Sequence, residues 1–106
     1  MLFQFVKNGD GLPSSITPSS GSVSINTKKI RGMVRLIHIE MNTAGTTWDL
    51  AITDRYGHIV RQYTEEEGTR NDPEPLPVDG IYTLAFLNVS VDEAIKVLMV
   101  MEEYNR

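Results

Sequence analysis

The segment Thr47–Thr53 constrains the fold more than any other part of this chain. Trp48, Leu50 and Ile52 alternate with Asp49, Ala51 and Thr53. A period of two puts one set on each face of a strand, so this stretch reads as a half-buried β-strand with its apolar set inward. Asp54-Arg55-Tyr56-Gly57 then supplies a tight turn, with glycine available for a positive φ. His58–Tyr63 returns as a second strand, and residues 47–63 form a β-hairpin.

The same period recurs along the chain. Val23 and Ile25 alternate with Ser22, Ser24 and Asn26. Ile30–Met41 is rich in β-branched and long apolar residues. Met33, Ile37, Ile39 and Met41 fall on one face, interrupted by Arg35. Val34 and Leu36 fall on the other. A strand apolar on both faces belongs at the centre of a sheet. Ile81–Asn88 places Tyr82, Leu84 and Phe86 on one face. In Glu93–Tyr104 a helix is conceivable, with Asp92 as cap. The strand reading is preferred, because Ile95, Val97, Met99 and Met101 alternate and the preceding elements are strands. Short strands at near-regular spacing predict an all-β antiparallel sandwich, jelly-roll-like.

Two regions are expected to lie outside this regular structure. Residues 1–22 read as an extended N-terminal arm, with residues 23–106 as the sandwich domain. Asn8–Pro13 is dense in turn formers, and Ser14–Ser22 has little to pack. Such a segment does not order itself cheaply, since each fixed residue costs about 1–2 kcal/mol. Its own sheet or a neighbour must hold it. Residues 65–80 read as a long polar loop, where Pro73, Pro75 and Pro77 forbid a helix and favour a stiff extended path.

Composition bounds function from the other side. With 106 residues there is one domain. The absence of cysteine removes disulfides, thiol nucleophiles and thiolate metal ligands together. A net charge of −4 disfavours bulk nucleic-acid or anionic-membrane binding. The N-terminus, Met1–Val6, has no basic stretch leading into a long apolar run, so no signal peptide is expected.

The residues able to carry chemistry also fit plainer roles. His38 and His58 lie in no nucleophile motif, so no catalytic residue is assigned and the chain is not expected to be an enzyme. Asp49, Asp54, His58, Asp72, Glu74 and Asp79 could contribute to a calcium site, but they lack the calcium-loop spacing. No metal or other cofactor is assigned. Trp48, Tyr82 and Phe86 are core candidates, while Tyr56 and Tyr63 are the candidates for a sugar platform. Partner binding falls on the apolar anchors Phe3, Phe5 and Val6 and on the basic cluster Lys28, Lys29 and Arg31.

Two resemblances add to this. Trp48–Asp54 with Gly57, followed by Gly80-Ile81-Tyr82-Thr83-Leu84, resembles the strand–turn and Gly-x-Tyr patterns of pre-peptidase-type C-terminal β-sandwich domains. Those domains are secreted accessories to enzymes, and no functional residue is carried over from them. The overall plan, a cysteine-free β domain with an extended arm, is similar to the small cement or decoration proteins of tailed-phage capsids. That resemblance implies a virion structural protein, made in the host cytoplasm, that binds neighbouring capsid or other virion proteins. It also implies homo-oligomeric contacts, such as a trimer, without nucleic acid or membrane partners. The alternative is a carbohydrate- or calcium-binding sandwich module working through residues 54–58 and 65–80.

Overall fold

A computed structural model describes residues 2–103, and the side chains of residues 6–102. Among the described residues there are nine strands: β1 (Leu2–Lys7), β2 (Val23–Asn26), β3 (Ile30–Met41), β4 (Thr47–Thr53), β5 (Ile59–Glu67), β6 (Arg70–Asp72), β7 (Leu76–Gly80), β8 (Thr83–Leu87) and β9 (Ile95–Glu103). All pairings between them are antiparallel. One sheet runs β1-β9-β3-β6, with β7 also on β3; the other runs β2-β8-β4-β5. If β6 and β7 count as two halves of one strand, this is the eight-stranded double-sheet order of a jelly roll. The all-β sandwich is therefore the fold.

The core lies between the sheets. Trp48, Leu50 and Ile52 of β4, Leu84 and Phe86 of β8, and Ile95, Val97, Met99 and Met101 of β9 are buried. The Trp48 ring packs at 6.1 Å from both Tyr63 and Phe86, and its indole N–H donates to the Gly68 carbonyl at 2.8 Å. At the hairpin turn Gly57 takes φ 84°, the left-handed conformation its sequence position requires.

Strand β3 corrects the alternation read from sequence. Its register against β9 shifts between Val34 and Leu36, a β-bulge at Arg35. The bulge reverses the phase. Ile30 and Val34 are buried before it, and Ile37, Ile39 and Met41 after it, while Met33 turns to the outer face.

The expected polar loop 65–80 is also corrected. Its start extends β5, and its remainder contains β6 and β7 on the edge of β3. Pro77 sits in β7, which is tolerable because an edge strand need not donate on its solvent side. Pro73 and Pro75 interrupt the edge between the two short strands.

A buried ionic clasp holds this flank shut. Arg61 of β5 and Asp72 of β6 come from different sheets and meet at 2.6 Å. The Tyr63 hydroxyl donates to the same Asp72 oxygen, and the Glu74 N–H donates to the other at 3.0 Å. Arg61 also donates to the Pro75 carbonyl at 3.1 Å. Burial pushes the Asp72 carboxyl up, but the bonds from Tyr63, Glu74 and Arg61 outweigh it and hold the pKa below the usual carboxylate range.

The N-terminal segment is extended, and it lies along the domain's own sheet. β1 pairs with β9 from Leu2↔Glu103 to Lys7↔Leu98. Leu12 and Ile16 are buried in the core although neither belongs to a strand. The Ile95 N–H donates to the Ile16 carbonyl at 2.8 Å. The N–H groups of Ser20 and Gly21 donate to the Asp92 carboxylate at 3.1 and 2.9 Å. Residues 2–22 are thus held by backbone pairing, a side-chain cap and apolar burial.

Two outcomes follow. Ile16→Ala is expected to cost about 3 kcal/mol in urea unfolding, as for a buried aliphatic residue; a loss within about 0.5 kcal/mol is what a surface arm would give. Asp72→Asn is expected to cost about 3 kcal/mol at neutral pH by leaving Arg61 unpaired. Because the folded pKa of Asp72 is depressed, its contribution is complete above about pH 4 and fades as pH falls further. Stability of the variant, followed by urea unfolding at stepped pH, should therefore depend less steeply on pH in that acid range.

Candidate functional site: the outer face of the five-stranded sheet

Residues directly opposite in an antiparallel pair share a face, so the register maps the outer surface of this sheet. Lys7, Leu98, His38 and Asn71 form one row across β1, β9, β3 and β6. Position 5, Val100 and Leu36 form the next, and position 3, Glu102 and Met33 the one after. Met33, Leu36, Leu98 and Val100 are each half-buried on this face. They make an apolar strip along the middle of the sheet, outside the core.

Charges frame the strip. Arg35, pushed out by the bulge, donates to the Glu102 carboxylate at 2.8 Å. Arg31 is exposed further along β3, opposite Asp79. Lys28 and Lys29 are exposed in the connection entering β3. At the other end Lys96 lies 3.7 Å from Glu40, and Lys7 lies 3.7 Å from Asp10. These exposed pairs are weak contributors to stability and remain free to exchange partners.

A groove of about 440 Å³ opens where residues 14–16 cross the end of β9. Ile16, Ala94 and Leu98 line its apolar part, and Lys7, His38 and Lys96 stand among its polar groups. Asn8 shapes this end. Its side chain donates to the Ile95 carbonyl at 2.8 Å and accepts from the Val97 N–H at 3.1 Å, as a strand residue's backbone would. The amide thereby continues the β1 ladder past its last paired residue.

The residues singled out from sequence are distributed as follows. Arg31 lies on this face, and Lys28 and Lys29 lie beside its end. Val6 is corrected: at 1% exposure it is a core residue, because it stands opposite Met99 on the inner face. It cannot meet a partner while β1 is paired. The side chains of Phe3 and Phe5 lie outside the described residues; their backbone pairs with Glu102 and Val100. Tyr63 is corrected as a sugar platform, since it is buried under the clasp, whereas Tyr56 is exposed beside Arg55.

The acidic candidates are dispersed among separate local tasks. Asp72 is engaged by Arg61 and Tyr63. Asp49 accepts from Asn88 and from the Glu65 N–H, and those bonds hold its pKa below the usual range. Asp54 accepts from the N–H groups of His58 and Tyr56 in its own turn. Among the described residues no three histidine or carboxylate side chains gather as a metal-binding group. His38 meets Asn71 through Nδ1, with Glu40 3.9 Å from Nε2, and His58 stands 3.6 Å from Asp54.

Comparison with protein-family models gives no match, and comparison with curated protein sequences gives none.

Asn8→Ala is expected to cost about 1–2 kcal/mol in urea unfolding, because two hydrogen bonds to β9 are lost. The Val97 amide should exchange faster with solvent while the amides of β4 stay protected. An unchanged Val97 rate would show that the Asn8 side chain does not bind β9 in solution.

Proposed function

We propose that this jelly-roll domain is a structural subunit of a virus particle, a capsid cement or decoration-type protein. It is made in the host cytoplasm and held in the virion by neighbouring shell proteins. The observation that carries this reading is the outer face of the five-stranded sheet. A half-exposed apolar strip of Met33, Leu36, Leu98 and Val100 runs beside an edge strand, away from the core. Apolar surface grouped in this way marks contact with another protein more often than scattered apolar residues do. Jelly rolls serve in viral capsids and in lectins alike, so the fold contributes analogy and the surface contributes the argument.

The occupant we assign is a neighbouring shell protein that offers an apolar strip flanked by acidic residues. The apolar strip here would bury against it, and Lys28, Lys29 and Arg31 would meet the acids. The N-terminal segment takes part as the edge strand β1, presented by the sheet. Protein contact fits this arrangement better than sugar, since Tyr63 is inside the molecule.

Gradient sedimentation of the tagged chain from the producing culture tests this. The chain is expected to travel with assembled particles. Lys28→Glu, Lys29→Glu and Arg31→Glu together should lower the bound fraction about tenfold without unfolding the domain. A chain that stays wholly in the slow soluble fractions would sink the proposal.

A further inference from the structure

The four flanking edges of the two sheets are not protected equally. β5 carries two register irregularities against β4, an inward Arg61, three consecutive glutamates and a left-handed Glu65 at φ 53°. β2 has four residues. On the far side of β3 the edge is split into β6, with three residues, and β7, with five residues including Pro77. Bulges, inward charges, short length and proline are the devices that keep an edge from pairing with another chain. β1 has none of these along residues 2–6, and its one protective residue is Lys7 at the end. Its six residues contain no proline or glycine, and its register on β9 runs without a shift. Leu2–Val6 are uncharged, and the single charge, Lys7, stands at the end.

We infer that β1 is a self-pairing edge: two copies of this chain join antiparallel through β1, extending their five-stranded sheets into one. The occupant is a second copy because the edge is complementary to itself. A two-fold axis perpendicular to the sheet reverses strand direction and keeps each face on its own side. Odd-numbered positions of one β1 then oppose odd-numbered positions of the other. With no charge between residues 2 and 6, the strands approach without repulsion. A six-residue edge buries little area, so the pairing is weak and concentration-dependent. The inference concerns the isolated chain and stands whether or not the chain belongs to a shell.

Two measurements test it. Sedimentation equilibrium of the full chain should show the mass rising from one chain toward two as concentration is raised to about 1 mM. Phe3→Lys with Phe5→Lys should hold it at one chain, with Trp48 fluorescence reporting an intact core. Since the chain has no cysteine, introduced thiols are unambiguous. Phe3→Cys with Phe5→Cys places a thiol opposite a thiol when residue 5 faces residue 5 or residue 3. Oxidation should therefore yield linked dimers, whereas Ser24→Cys on the β2 edge should not. A one-chain mass at every concentration overturns the inference, as does linkage through Ser24→Cys equal to that through β1. Monomeric protein that still sediments with particles would reject this pairing alone and leave the shell reading standing.

Discussion

The pairing of β9 with β3 is the constraint from which the other parts of this structure hang. β3 runs down the middle of the larger sheet, with β6 and β7 on one side and β9 on the other. β9 in turn holds residues 2–16 of the N-terminal segment: β1 along its backbone, the Asn8 side chain at Ile95 and Val97, and the Ile16 carbonyl at Ile95. Its inner residues Ile95, Val97, Met99 and Met101 are core, and its outer Leu98 and Val100 form half of the half-buried apolar strip. One strand therefore supplies the core, the anchor for residues 2–16 and the proposed contact face. A strand apolar on both faces is suited to that position, and it leaves its outer face without a covering layer.

The two flanks of the sandwich are closed by different physics. On the β5 and β6 side, Arg61 and Asp72 reach across from opposite sheets under Tyr63. A buried pair of this kind contributes little net energy against its desolvation, but it fixes which elements meet. On the other side Leu12 and Ile16 fill the gap between the sheets, and hydrogen bonds from Ile95 and to Asp92 hold the chain in place. The ionic flank carries bulges, prolines and glutamates that discourage further pairing. The apolar flank ends in β1, whose only such device is Lys7 at its end.

Much of the fold was legible because burial on one face writes a period of two. The hairpin at residues 47–63, the inward Trp48, Tyr82 and Phe86, and the final strand could all be read that way. The bulge at Arg35 could not, since an inserted residue reverses the phase without changing the composition. β6 and β7 were hidden because polar residues and prolines are compatible with an edge that needs few side chains inside. The clasp was hidden for a related reason: Arg61 and Asp72 look like solvated charges until the fold opposes them. Residues 8–22 are held largely through backbone groups and the three buried side chains of Leu12, Ile16 and Pro18, and composition records neither. Of the contact residues, exposed Arg31, Lys28 and Lys29 were readable as surface. Val6 belongs inside because β1 joins a sheet, which its neighbours in sequence do not reveal.

In this fold β1 is a strand of the domain with one side open to a neighbour. Residue-resolved amide exchange along residues 2–7, at a concentration dilute enough to keep chains apart, tests it most directly. In an edge strand, amides alternate between pointing at the partner strand and pointing at solvent. Slow and fast exchange should therefore alternate along β1, with the fast set slowing as concentration rises. Fast exchange at every position would contradict the claim by making these residues a free arm. Slow exchange at every position in the dilute chain would contradict it as well, since the edge would already be covered.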